Sequence, residues 1–202
     1  MGEIDVRPVH RADVRVSSRV LGRAFYDDPV MTWMMPDSAA RAKGLPRGFA
    51  TMTRHHFLAR GGSEVATRDG AIGGAALWDP PGKRKSSRLE ELVMMPGLLW
   101  AFRWRVSVME PVLELMEANH PEEPHWYLMI IGSDPTVRGA GLGQALMRSR
   151  LDRCDQEHAP SYLEATKPEL VPYYQRFGFE VTGEIKLPDG GPSMWPMWRT
   201  PR

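Results

Sequence analysis

The chain is predicted to fold as an α/β protein, a mixed sheet covered by helices. Three observations lead there. Apolar runs of strand length occur near both ends, segments with helical periodicity lie between them, and the last third alternates strand and helix before two final strands. That order suits neither a bundle nor a sandwich. With 202 residues the chain can bury a substantial core as one domain, read here as residues 1–202 with residues 88–119 as a helical insertion.

The elements follow in order. Ile4 to Arg7 alternates as a half-buried strand does, and Pro8 stops it. From Ala12 to Phe25 the residues Val14, Val16, Val20, Leu21, Ala24 and Phe25 fit one helical face, with Asp13 favourable to the dipole in the first turn. Tyr26, Asp27, Asp28 and Pro29 form a break, and Val30 to Met35 is an apolar patch, either a short helix or a floor for substrate. Ser38 is expected to cap a helical region reaching Arg60, interrupted near its start at Gly44 and Pro46. Ser63 to Thr67 and Ala71 to Trp78 read as a hairpin turning at Asp69 and Gly70. Asp79 to Ser87 holds two prolines, a glycine and three basic residues, and reads as a linker or flap.

From Arg88 to Asn119 the pattern returns to helix, expected to split at Pro96 and Gly97. Leu99, Phe102, Val106, Met109, Leu113 and Met116 form one stripe, and Trp100, Trp104 and Val108 a second beside it. Such a surface reads as core or pocket wall, with membrane or partner docking as the alternative. Trp126 to Ile131 is a buried strand ended by Asp134 and Pro135. A glycine turn, RGAGLG from Arg138, follows, and then a helix carrying Leu142, Ala145, Leu146 and Met147. Ser161 to Thr166 is a strand, and Pro168 opens a helix that closes at Gly178. Phe179 to Lys186 and Ser193 to Arg199 are the last strands, joined by a turn from Pro188 to Pro192.

Composition narrows the function. Lys and Arg number 26 against 25 Asp and Glu, so there is no broad positive field for nucleic acid or an anionic membrane. Any anion must be held locally. One cysteine, Cys154, cannot make an internal disulfide, and MGEIDVRPVH lacks an apolar signal core, so a cytoplasmic protein is expected. No apolar run approaches bilayer-spanning length. His55 and His56 face different ways on a helix without Cys or acidic partners at ligand spacing, so no metal is expected.

The chemistry centres on the glycine turn. A strand, a glycine-rich turn and a helix start present unpaired backbone N–H groups and the positive dipole end to an anion. A nucleotide phosphate loop would need GxxxxGK[ST], and no lysine or hydroxyl residue follows Gly143. A dinucleotide fold would need GxGxxG early in a strand–helix–strand unit, whereas Gly139, Gly141 and Gly143 are spaced GxGxG late in the chain. A coenzyme A site remains.

Here Arg138, Gly141 and Gly143 match the [QR]xxGx[GA] pattern, and about thirty residues on Tyr173, Tyr174, Gly178 and Phe179 match [FY]YxxxGF. The two linked motifs resemble the GNAT superfamily of N-acetyltransferases. Within it, the tract from Glu123 through Arg199, with PHWYL, LEATKP, VPYYQRFGF and SMWPMWR, is most similar to the puromycin N-acetyltransferase subgroup, as is AFYDDP near the N-terminus. Departures occur at Lys167, where many members have Asn or a small residue, and at Leu170, where the subgroup often has Asn.

The resemblance implies a central twisted sheet of about six to seven strands, with the helical insertion before the strand that binds acetyl-CoA. It implies a break near Gly132 that frees backbone groups, Ile131 and Ser133 against the pantetheine arm, and Arg138, Gly139, Gly141, Leu142, Gly143 and Gln144 around the pyrophosphate. It implies Tyr174 as the acid toward the departing thiolate. Its rival Tyr173 is expected by helical phase to face the core. Glu164, which the subgroup also has, is the first candidate for base or amine-positioning carboxylate, ahead of Asp27 and Asp28.

The expected reaction is direct acetyl transfer from acetyl-CoA to a primary amine of a small molecule. Tyr26, Trp33, Trp78, Trp126 and the Trp100/Trp104 face are expected to line an aromatic pocket for it. Cys154 continues a stripe with Met147 and Leu151 and reads as a buried structural thiol, against an acyl relay. A protein lysine or N-terminal acetyltransferase, or a non-catalytic acyl-CoA sensor, are the alternatives. A monomer or homodimer is expected.

Overall fold

The computed structural model describes residues 2–83, 87–102 and 106–202. Among them eight strands form the sheet, in the order β1-β2-β3-β4-β5-β8-β6, with β7 also pairing β8. The strands are β1 Ile4–Pro8, β2 Glu64–Arg68, β3 Ala71–Asp79, β4 Trp126–Ser133, β5 Ser161–Ala165, β6 Glu180–Val181, β7 Ile185–Lys186 and β8 Ser193–Arg199. All neighbours are antiparallel except β4 and β5. The hairpin turns where expected: Asp69 and Gly70 have φ of 51° and 77°, the left-handed pair that matches strand twist.

The eighth strand arises because the expected run from Phe179 to Lys186 splits in two. Pro196 on β8 accepts from the Thr182 N–H through its carbonyl at 2.9 Å, but it has no N–H to return the bond. The ladder lapses there.

Helices cover both faces. On one lie α1 Val14–Ala24, α2 Pro29–Met34, α3 Ser38–Met52, α4 Leu58–Arg60, α5 Arg88–Phe102 and α6 Val106–Ala118. Their core joins Leu21, Leu45, Phe49, Leu77 and Ile130. On the other lie α7 Leu142–Gln156 and α8 Val171–Gln175, packed through Leu146, Met147, Leu151 and Tyr174 onto Trp78, Leu128 and Leu163.

Several helix boundaries correct the sequence reading. Asp37, not Ser38, caps α3, its carboxylate accepting from the Ala40 N–H at 2.6 Å. The helix then runs unbroken through Gly44 and Pro46. Pro46 fits because α1 offers it a notch, where a Cβ on Gly22 would lie 2.6 Å from the Pro46 Cγ. Likewise α5 continues through Pro96 and Gly97, and a Cβ on Gly97 would stand 2.8 Å from Thr51 Cγ2 on α3. These residues are contact points between helices, not breaks.

Beyond Met52 a π-helical turn, Thr53–Phe57, leads into α4. There the buried His56 does have an acidic partner: its Nε2 lies 2.9 Å from Asp79 at the end of β3, and Arg60 bonds Glu90 of α5. The expected flap at Asp79 to Ser87 lies partly outside the described residues, at 84–86, as do Trp104 and the Val106 side chain. The stripe on the insertion is mixed: Phe102 is buried, while Leu99, Trp100 and Leu113 are about half exposed. No helix among the described residues is long and apolar enough to cross a membrane.

Candidate active site

The site begins where two strands part. β4 and β5 pair only at Trp126/Ser161, Tyr127/Tyr162 and Leu128/Leu163, while β4 continues beside β3 to Ser133. The strand does not break at Gly132. That glycine is needed for packing, since a Cβ there would lie 2.7 Å from the Ala24 Cβ of α1. The irregularity is a bulge at Met129, with Leu128 and Ile130 opposite the adjacent residues Trp78 and Leu77.

The bulge sets which way the backbone points. Trp126 N–H donates toward β5, to the Pro160 carbonyl, whereas Asp134 N–H donates toward β3, to the Gly73 carbonyl. Counting back by twos from Asp134 turns 132 and 130 toward β3. Ile131 and Ser133 therefore present their backbone groups to the gap that β5 has left.

Next to the gap lies the glycine turn. Arg23 of α1 pairs with Asp134 and anchors the chain as it leaves β4. Gly139 and Gly141 take φ of 82° and 87°, and Gly141 caps α7. The first helical N–H to find its carbonyl is Ala145, bonding Gly141 at 2.9 Å, so the N–H groups of Leu142, Gly143 and Gln144 have no intrahelical acceptor. Together these segments wall a cleft of about 610 Å³, lined by Ile131 through Ser133, by Val137 through Gln144, and by Tyr173, Tyr174 and Arg176. A backbone-lined gap beside a cationic, glycine-rich helix start suits an extended arm carrying phosphates.

The side chains at the inner end come from three elements. Tyr174 of α8 is buried, which pushes its phenol above the ordinary value, with Tyr173 and Asp28 adding to the shift. It remains a proton donor. Tyr173 also faces the cleft, contrary to the phase argument: a Cβ on Gly143 would meet its hydroxyl at 3.2 Å. α8 is one short turn, so both tyrosines reach the same side.

Glu164 lies in β5 opposite Pro196, and Tyr127 donates to its Oε2 at 2.8 Å. Asp28 is buried and its carboxyl is raised by desolvation. It caps α2 through Val30 and Met31 and accepts from Thr166 Oγ1 at 2.5 Å. Asp27 is exposed and lines neither cavity.

Beyond Glu164 a second cavity of about 140 Å³ opens between α1, α2, α3, α5, α6 and β4. Both cavities are bordered by Phe25, Met129, Glu164 and Thr166, so they adjoin there. Its walls hold seven methionines, among them Met31, Met52, Met109 and Met116, together with Phe49 and Phe102.

The expected aromatic pocket is corrected. Trp78 and Trp126 lie in the core under α7, with Trp126 beneath the Arg150 guanidinium at 4.5 Å. Tyr26 stacks on Arg41, and Trp33 packs near Gly191. None of the four lines either cavity. Cys154 is fully buried in the α7 core, its thiol raised by that burial, and it does not border the cleft.

The sequence reading passed over Tyr127, Thr166 and Arg176, whereas Val30, Met31 and Met34 of the expected substrate floor and Met109 and Met116 of the expected wall do line the second cavity. Alternation could have found Tyr127, which shares a sheet face with Tyr162 and Glu164 once β4 and β5 are known to be parallel neighbours.

Comparison with known proteins agrees with this architecture. The curated N-acetyltransferase C550.08 of Schizosaccharomyces pombe, itself uncharacterised, is 25% identical over 193 residues, covering 89% of this chain and 75% of its own. A Corynebacterium glutamicum crystal structure described as histone acetyltransferase HPA2 and related acetyltransferase superposes with a TM-score of 0.76 at 28% identity, covering 100% and 98% of the two chains. A Drosophila melanogaster polyamine N-acetyltransferase that forms N-acetylagmatine shares the fold, with a TM-score of 0.62 at 16% identity and coverage of 98% and 100%. The family model for an acetyltransferase (GNAT) domain matches residues 113–200. Residues 113–200, which hold β4 to β8, are thus similar to a GNAT acetyltransferase domain.

Proposed function

We propose that the protein is an N-acetyltransferase that moves an acetyl group from acetyl-CoA to a primary amine of a small molecule by direct attack. On this reading residues 1–202 act as one domain, with residues 88–119 inserted as helices that wall the acceptor side. The observation that carries it is the meeting of two cavities at Glu164, one lined by backbone and cations, the other by apolar side chains.

Acetyl-CoA would supply an activated thioester carbon. The chain's own residues do the rest. Leu142, Gly143 and Gln144 N–H groups with Arg138 hold the pyrophosphate, Gly139 and Gly141 allow the turn, and the backbones of Ile131 and Ser133 hold the arm in the gap. An N–H in that gap polarises the carbonyl. Alkylamines are mostly charged at neutral pH, so Glu164 accepts the amine's proton, with Tyr127 fixing its carboxylate. Tyr174 donates from Oη to the leaving sulfur, and burial keeps it protonated for that step.

The reading is also supported by the resemblance of the tract from Glu123 through Arg199 to the puromycin N-acetyltransferase subgroup. The test is to mix the protein with acetyl-CoA and a panel of primary amines and follow free thiol. Thiol release that requires both protein and amine is expected. CoA binding with no thiol release from a broad panel would favour a sensor over an enzyme.

A further inference from the structure

The Met-lined cavity differs in kind from the cleft beside it. Thr166 and Glu164 are the polar side chains on its described wall, both at the seam with the donor cleft, and Thr166 is committed to Asp28. Away from the seam the wall is Phe49, Met52, Phe102, Met109 and Met116. We propose that this cavity is the acceptor site and that it selects amines with one cationic end and an apolar body of about benzene size, such as phenethylamine or hexylamine. This rests on the acetyl-transfer reading above and narrows its substrate class.

The physical argument has three parts. Charge comes first: Glu164 stands at the mouth, so the ammonium end stops there, next to the reacting end of the cleft. Among the described residues a second charge on the acceptor would face thioethers and phenyl rings that offer it no partner, which a low-polarity wall strongly disfavours. Size comes second. A dry apolar cavity of ~150 Å³ accepts a benzene ring, and this one measures about 140 Å³. Shape comes third, because unbranched, polarizable methionines adapt to flat or flexible bodies and make favourable sulfur–aromatic contacts. Diamines, agmatine and lysine-bearing peptides, with their distal charged or polar groups, fit poorly.

The test separates binding from turnover. Calorimetric titration of hexylamine, phenethylamine and 1,4-diaminobutane into protein saturated with CoA reads the cavity without any chemistry. The two monoamines are expected to bind, and the diamine to bind at least about a hundredfold more weakly. Equal binding of hexylamine and the diamine, or no binding of either monoamine, would overturn the proposal. Monoamine binding with no thiol release from acetyl-CoA would leave it standing and refute acetyl transfer instead.

Met109→Glu supplies a carboxylate to the far wall and is expected to narrow the diamine deficit at least about tenfold. Should that variant not fold, a series from propylamine to decylamine on the unaltered protein serves. Affinity is expected to rise with chain length and then level off near six to eight carbons, and a flat series would overturn the proposal.

Discussion

The donor cleft and the acceptor cavity share Glu164 but are made of different material. The cleft is built from main chain: a bulge, a strand splay, two left-handed glycines and the free N–H groups of a helix start. The cavity is built from side chains of the helices on that face and of β4, β5 and β8, with methionine the most frequent residue. A backbone site fixes its ligand by hydrogen-bond geometry and is sensitive to single glycines. A side-chain wall tolerates hydrophobic exchange and can change occupant while the fold stays put.

This contrast can be broken in graded ways. The largest effect belongs at the seam, where Glu164→Gln should lower kcat/KM by about 10³ while CoA affinity, followed by fluorescence titration, is unchanged. A matching loss of CoA binding would show that Glu164 supports the cleft and not the transfer. Tyr174→Phe should cost kcat about a hundredfold, at the weak end of acid catalysis. Because burial holds the wild-type phenol protonated, the loss should be the same at pH 6 as at pH 9. A loss that fades at low pH would point to another donor.

On the donor side, Gly141→Ala forces a Cβ into φ of 87° and should weaken CoA binding about tenfold, from a strain of ~1–2 kcal/mol. Unaltered affinity would mean that the turn does not set the cradle. Smallest of all, Cys154→Ala should retain activity within about twofold, losing only stability to the small cavity it leaves. A folded but inactive variant would revive the acyl relay.

The two regions also differed in how far they could be read in advance. β8 matched its expected span and the hairpin its expected turn, because local chemistry dictates them: alternation and Asp-Gly. The glycine turn was legible for the same reason, since a left-handed φ leaves its mark on the residue type. Pro46 and Pro96 were misread because proline's helix penalty is local while the notches that accommodate these helices, at Gly22 and Thr51, lie on other helices. Trp78 and Trp126 were assigned to a pocket because periodicity says that a residue is apolar and not which sheet face it meets. The acceptor wall was legible only as alternatives, floor or helix at Val30 to Met35 and core or wall on the insertion stripe, because its residues come from 25 to 194 and nothing local marks a methionine as wall or core.

The bulge at Met129 makes β4 a strand in two phases. Upstream of it the backbone is in step with β5, and downstream it is in step with whatever enters the gap. Substituting Met129 alters one side chain, but pairing it with Leu77 in place of Ile130, so that the bulge is lost, would be a frame error in three dimensions. Ile131 and Ser133 would turn their backbone groups into β3, Gly132 would turn away from α1, and every later side chain of the strand would change faces. A single uncounted residue separates a sheet that ends in a ligand site from a sheet that merely ends.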